Sequence, residues 1–408
     1  MTLLRQPLVA GLLVNRALVF LKSGLKHGLS LSVVWWLIAL PALAAEMRVA
    51  VGDRLSQAVV GSSTPAVIKN GAGQGVGQIP QGRSITITPS GGGLRLADWQ
   101  GQAFWVEPTA GGYVFINDKW YRGRVLVVPV DGKVTAVNWV DIEAYLYGVV
   151  GSEMPASWPQ EALKAQAVAA RSYALYRRDR TQGDLFDVAS TTASQVYRGL
   201  AAETPSVQAA VNATQGQVIT YGGRIIEAVF HSASGGHTEN SEDIWQRAAP
   251  YLRGVADFDQ DAPVFQWSET FSTQQIEQRI SGIGRLQSVA TERATPRGRI
   301  VSIRLQGSRG TRTLTGTELR QALGLRSTLC SLTLAGDTLR VDGRGYGHGL
   351  GMSQWGARGL ATRGYNYQQI LAYYYQGTAL SNVRVANLQK QNVPLLPSPE
   401  ALRPALGQ

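Results

Sequence analysis

The chain has 408 residues and a mass near 44 kDa, with 44% apolar and 16% charged residues. That composition buries a substantial core and excludes both bulk disorder and a disulfide mini-protein. The single cysteine, Cys330, excludes an internal disulfide, a zinc site needing two thiolates and an iron–sulfur cluster, while a net charge of +11 suits an anionic partner.

Residues 1–45 read as a signal peptide or an N-terminal anchor. Residues 33–45 are apolar, Ala42-Leu43-Ala44 has the small-x-small pattern of a cleavage site, and Lys22, Lys26 and His27 precede the apolar block. Either reading exports the bulk of the chain to the cell envelope or periplasm, with contact to a membrane only through an uncleaved leader. Four of the basic residues and no acid lie in this stretch, so residues 46–408 carry +7. No Lys/Arg-rich run follows residue 46, which deprives a nucleic-acid reading of its footprint. A mild positive excess, 46 glycines and 10 tryptophans fit a β-rich protein that handles an anionic sugar polymer.

Residues 46–119 form a β-rich N-terminal region: Ser84-Ile-Thr-Ile-Thr88 alternates with period two, and Gly91-Gly92-Gly93 breaks it. Arg124–Val130 and Lys133–Val140 read as a hairpin closed by Asp131-Gly132. A long helix is predicted over 159–178, with Ser157 as cap, Pro159 at its first position and Leu163, Ala167, Ala170 and Ala174 on one face. A second helix, Pro205–Thr214, follows Thr204. Val218–Tyr221 and Arg224–His231 read as another hairpin around Gly222-Gly223. Short helices are predicted at Thr273–Ile280, Thr317–Leu323 and Tyr367–Tyr375, and residues 387–408 form a Pro-rich tail. The fold class is α+β, with mixed, largely antiparallel sheets and packed helices around a cleft.

Four constellations can carry chemistry. In Val149-Val-Gly-Ser-Glu153-Met-Pro155 a carboxylate sits in an apolar strand-to-helix turn; burial without a cationic partner raises a glutamate pKa, as a general acid near neutrality requires, and the alternative is a helix cap or salt bridge. On the long helix, Gln166, Arg171 and Tyr173 interrupt an alanine-rich surface. In Phe230-His231-Ser-Ala-Ser-Gly-Gly-His237, two histidines flank a Gly-Gly turn, but no third ligand stands at a diagnostic spacing, so no metal is expected. In Gly343–Gly351 glycine takes every second position. On a strand this strips one face and lets a ligand or another backbone approach, with His348 on the other face. Ser353 and Gln354 follow; a Ser353 nucleophile beside His348 is a further alternative, although no Gly-x-Ser-x-Gly elbow exists.

Taken in order, Ser152-Glu-Met-Pro155, Glu161-Ala-Leu-Lys-Ala-Gln-Ala-Val-Ala-Ala-Arg-Ser-Tyr173, Gln195-Val-Tyr197, His231-Ser-Ala-Ser-Gly-Gly-His-Thr238, Tyr251-Leu252 and Gly345-Tyr-Gly-His-Gly-Leu-Gly-Met-Ser-Gln-Trp-Gly356 resemble the motifs of the SpoIID/LytB family, the stage II sporulation D and amidase-enhancer proteins. The resemblance covers roughly residues 120–385 and implies a catalytic domain over 120–386. It implies a peptidoglycan lytic transglycosylase that cuts peptide-stripped glycan to 1,6-anhydro-muramoyl ends, with Glu153 as acid and base. It also implies a functional role for Arg171 and substrate-binding roles for Gln166, Tyr173, His231, His348, Ser353 and Gln354. Some relatives hold a zinc with a cysteine pair ahead of Gln-x-Tyr; Asp187–Ser194 has no cysteine, so neither a metal nor another cofactor is expected. The implied partners are glycan strands and a cell-wall amidase. The amidase-enhancer branch implies the alternative of a non-catalytic glycan binder that stimulates such an amidase.

Overall fold

The computed structural model describes residues 46–383 apart from Gln246; the leader and the Pro-rich tail lie outside the described residues. Two β-sheets carry the N-terminal half. The first has seven strands in the order Val188–Ala189, Glu46–Leu55, Lys133–Asp141, Arg124–Val130, Phe104–Pro108, Ala66–Asn70 and Gly75–Ile79. The second is a six-stranded antiparallel sheet from Lys119–Tyr121 to Trp99–Gly101. The predicted hairpin is present. Asp131 (φ 50°) and Gly132 (φ 70°) both adopt the left-handed region that a two-residue turn between twisted strands requires. Glu46–Leu55 pairs along Lys133–Asp141, and one apolar core includes residues from Met47 to Tyr375.

Eight helices occur among the described residues: α1 (Ile142–Glu153), α2 (Gln160–Arg180), α3 (Pro205–Ala213), α4 (Ser241–Trp245), α5 (Thr273–Arg279), α6 (Gly316–Leu323), α7 (Gln354–Thr362) and α8 (Tyr367–Tyr374). The alanine face of α2 is fully buried, and α1, α3, α7 and α8 all pack on this helix. Pro159, not Ser157, occupies its N-cap, without a side-chain bond. The helix α1 corrects the expected strand-to-helix turn, for Glu153 is its last residue. Its sequence, rich in aromatic and β-branched residues with two glycines, has poor intrinsic helicity. Asp141 caps it by accepting from the backbone N–H groups of Glu143 and Ala144. Burial on all sides hides any helical stripe.

Two other expectations are corrected. The strand after Gly222-Gly223 ends at Ile225, and Phe230–His231 instead pairs in parallel with Met352–Ser353. The alternating glycines do not form one strand: the strand Thr338–Arg344 stops, and Gly345, Gly347, Gly349 and Gly351 all have positive φ. A Cβ on any of the four would collide with Ala233, His231, Arg299 or Val229, so the stripped face meets the protein's own chain.

Residues 266–344 build a lobe with a separate apolar core that includes Trp267, Phe271, Ile303, Leu305, Leu319 and Leu339. Two three-stranded antiparallel sheets, α5 and α6 enclose it. A capping box starts each of these helices, from Ser272 and from Thr315.

Candidate active site

The site is assembled at the C-terminal end of α1. Gly148 and Gly151 face Tyr197 and Ala202 so closely that a Cβ at either would clash. Their bareness lets segment 195–202 lie flat on the helix. Tyr145 donates to Gln195 (3.1 Å), and Gln195 in turn donates to the Ala170 carbonyl of α2 (3.2 Å). The segment so fixed brings the Val196 N–H to Oε1 of Glu153 at 2.9 Å. From the opposite side comes Gln354, the first residue of α7. Ser353 caps that helix by accepting from the Gly356 N–H (3.1 Å), and the Gln354 amide donates to Oε2 of Glu153 at 3.0 Å.

Glu153 therefore holds two neutral donors, one on each oxygen, and no ion pair among the described residues. Burial raises its pKa; the donors and the charge of Arg198 act the other way, and burial prevails. A carboxyl in this state keeps its proton to higher pH than a surface glutamate, and its conjugate base is still positioned to take a proton back.

The predicted companions divide. Gln354 touches Glu153 directly, while Ser353 is buried as the helix cap and bonded to the α7 backbone, not poised as a nucleophile. His231 is paired in register with Ser353, its Nδ1 donating to the Leu350 carbonyl (3.1 Å). His348 donates from Nε2 to the Phe230 carbonyl (3.0 Å) and accepts at Nδ1 from the Leu350 N–H (3.0 Å). Their rings lie 5.1 Å apart. Burial pushes the pKa of His231 well down and that of His348 down to about 4, so both are neutral at neutral pH. These contacts make them struts between two loops. Tyr173 is half-buried, and burial raises its pKa. Gln166 is fully buried one stripe-step away, with neither amide atom paired among the described residues.

Arg171 is not in a cleft. It is completely buried, and its guanidinium clasps Glu143 at the other end of α1 (2.8 and 2.5 Å) while donating to the carbonyls of Gln217 (3.1 Å) and Val211. Glu143 also accepts from the Gly216 N–H (3.1 Å). Arg171 thus ties together α1, α2 and the end of α3.

The loop between His231 and His237 is anchored from below. Asp259 accepts from the N–H groups of Gly235 (2.8 Å) and Gly236 (3.0 Å), Asp257 accepts from Ser234 Oγ (2.6 Å), and the buried Arg299 donates to the Ser234 carbonyl (2.8 Å). His237 faces a groove of about 940 Å³ against the 266–344 lobe, with Arg297 and Arg344 on its walls; Glu153 is not among its lining residues. Among the described residues no three His, Cys, Asp or Glu side chains converge as metal ligands. Sequence reasoning missed Val196, Arg198, Asp257 and Arg299. Val196 lies inside the Gln195-Val-Tyr197 motif and Arg198 directly follows it, which was their available signal. Trp355, which stands in the Gly345–Gly356 motif without an assigned role, meets Trp158, which was missed, edge to face at 4.8 Å beside Gln354.

A family model described as Stage II sporulation protein matches residues 130–221, and one described as a domain of unknown function, DUF8618, matches 239–351. The chain is 36% identical over 271 residues to Stage II sporulation protein D of Bacillus subtilis (strain 168), which covers 60% of this chain and 76% of that protein. It is 34% identical over 269 residues to Stage II sporulation protein D of Bacillus amyloliquefaciens, with the same coverage of both chains. It is 33% identical over 292 residues to a protein named Amidase enhancer from Bacillus subtilis (strain 168), covering 58% of this chain and 40% of that one. The sporulation family model spans Glu153 and the Val196 segment, and with 76% of the Bacillus subtilis relative covered at 36% identity, this chain belongs to the SpoIID/LytB family.

Proposed function

We propose that this protein is an exported peptidoglycan lytic transglycosylase that cleaves peptide-stripped glycan strands in the cell envelope, with Glu153 as the single acid and base. One observation carries the reading: Glu153 sits at a helix end between two neutral donors, its pKa raised by burial, with no cation paired to it. An ordinary glycosidase needs a second carboxylate to activate water or to attack. Intramolecular attack removes that need. The Glu153 proton passes to the glycosidic oxygen as the bond from muramoyl C1 to that oxygen breaks. The 6-hydroxyl of the same muramoyl unit then bonds to C1, and its proton returns to the Glu153 carboxylate. The nucleophile is tethered to the carbon it attacks, so its effective concentration is already high. The family membership and the peptidoglycan-related names of the relatives support the substrate class, and the apolar stretch at 33–45 supports export.

The test is digestion of peptide-free glycan by the purified chain, with mass spectrometry for 1,6-anhydro-muramoyl ends. Such ends are expected from the natural chain, and Glu153→Gln lowers their formation at least about 10³-fold with the fold intact. Full activity in Glu153→Gln would overturn the assignment. The 33% identity to an amidase enhancer favours a second reading, a glycan binder that stimulates a separate amidase; it predicts binding without anhydro ends.

A further inference from the structure

We propose that Arg198 is a carboxylate-binding residue of the site, and that it selects peptide-stripped glycan by gripping the free lactyl carboxylate of the muramoyl unit; this rests on the glycan-cleaving reading above. Removing a stem peptide turns a neutral lactyl amide into a carboxylate. The lactyl group itself gains one negative charge, at the sugar whose C1 is to be broken, while the stem's own charged groups leave with the peptide. A protein that tells the two polymers apart by charge needs an unengaged cation beside its acid.

Among the described residues the structure offers one such cation there, Arg198, whose charge acts on Glu153. Arg171 is consumed by Glu143 and two carbonyls in the core. Arg297 and Arg344 are exposed but line the groove that excludes Glu153. Arg198 is exposed, and its guanidinium makes no hydrogen bond or ion pair with any other described residue. Its backbone is nonetheless fixed, because its N–H donates to Ser152 Oγ (3.2 Å) and Ser152 bonds back to the Gly148 carbonyl (2.7 Å). It stands two residues from Val196, whose N–H holds Glu153. Ser152 and Glu153 adjoin on α1, so one short segment presents a neutral donor to the acid and a charged fork at its rim. A planar guanidinium with free donors takes a carboxylate in two parallel hydrogen bonds.

A consequence links recognition to catalysis. The charge of Arg198 acts to lower the Glu153 pKa, against the effect of burial. A lactyl carboxylate bound to Arg198 cancels that charge, so the acid holds its proton more firmly once the stripped substrate is seated. An amide leaves the field of Arg198 in place.

The experiment compares peptide-free glycan with the same glycan after its lactyl carboxylates are converted to primary amides by carbodiimide and ammonium. The purified chain and its Arg198→Gln and Arg198→Lys variants are assayed for kcat and KM across pH, with thermal melts as a check on folding. The natural chain is expected to prefer the carboxylate form about tenfold to a hundredfold in kcat/KM. R198Q brings that ratio near one, and R198K keeps part of it. The alkaline limb of kcat lies at higher pH than that of kcat/KM for the carboxylate glycan only, and R198Q removes the gap. No preference in the natural chain, or the same preference in R198Q, overturns the proposal. If the natural chain leaves both glycans uncut, the glycan-cleaving reading falls. Calorimetric binding of the two glycans then decides for Arg198: a carboxylate preference lost in R198Q supports it, and equal binding overturns it.

Discussion

The two ends of α1 carry the same side chain in opposite circumstances. Glu143, in the first turn, is 3% exposed and locked in a forked ion pair with Arg171, with the Gly216 N–H as a further donor. Glu153, at the last residue, has two neutral donors and only the unpaired charge of Arg198 near it. The first carboxylate is held by a cation and serves packing. The second keeps the option of holding a proton. Environment, not residue type, separates the structural acid from the one proposed to react.

Exchanging partners at the first end has the largest expected effect. Arg171→Ala leaves Glu143 as an uncompensated charge in the core and strands the carbonyls of Gln217 and Val211. The expected loss is about 3–5 kcal/mol of unfolding free energy, read by urea denaturation. Glu143→Leu combined with Arg171→Met removes both charges and recovers much of that loss. If Arg171→Ala instead melted like the natural chain and failed only in glycan turnover, the contrast between the two ends would collapse, and Arg171 would belong with the substrate.

At the second end, Gln354→Ala removes the side-chain donor on Oε2 of Glu153. That donor favours the ionised form, so its loss raises the Glu153 pKa further and moves the alkaline limb of the rate profile to higher pH. The carboxyl also loses one of its two orienting bonds, and kcat falls about tenfold. An unchanged limb with a lowered rate would show Gln354 acting on the sugar rather than through Glu153.

Much of this site was legible as parts and illegible as an assembly. The carboxylate in an apolar setting, the Asp131-Gly132 turn and the alanine face of α2 each follow from local rules, and each is present. The helix α1 was hidden because no amphipathic stripe exists on a helix buried all round. The glycines of 345–351 read as a bare strand because alternation is the only signal a sequence offers. Their positive φ angles answer to the crowding by Ala233, His231, Arg299 and Val229, which come from distant parts of the chain. Arg171 and Arg198 differ in the opposite way. Arg171 stands out as a lone charge on a small-residue face, which is the mark of a buried ion pair as much as of a binding residue. Arg198 sits in a short irregular segment with no period, and its proposed role depends on Gly148 and Gly151 letting that segment approach Glu153.

The smallest effect expected is a gain, and it tests the comparison most directly. The folded-state pKa of Glu153 lies above its unfolded value, so the folded chain binds this proton more tightly than the unfolded chain does. Below the unfolded pKa both states are protonated, and burial of the carboxyl has no ionic penalty. As pH rises through the unfolded and then the folded value, the penalty sets in and stays. Glu153→Gln removes it while keeping a carbonyl oxygen for the Val196 N–H. The variant is expected to unfold about 0.5–2 kcal/mol less readily than the natural chain at pH 8, with the difference fading below the ordinary glutamate range. Glu143→Gln has the opposite sign, since it leaves the Arg171 guanidinium without its counter-charge. Paired melts at pH 8 and in acid measure both signs at once. A destabilised Glu153→Gln at pH 8 would mean that the carboxylate at the site is as well satisfied as the one in the core.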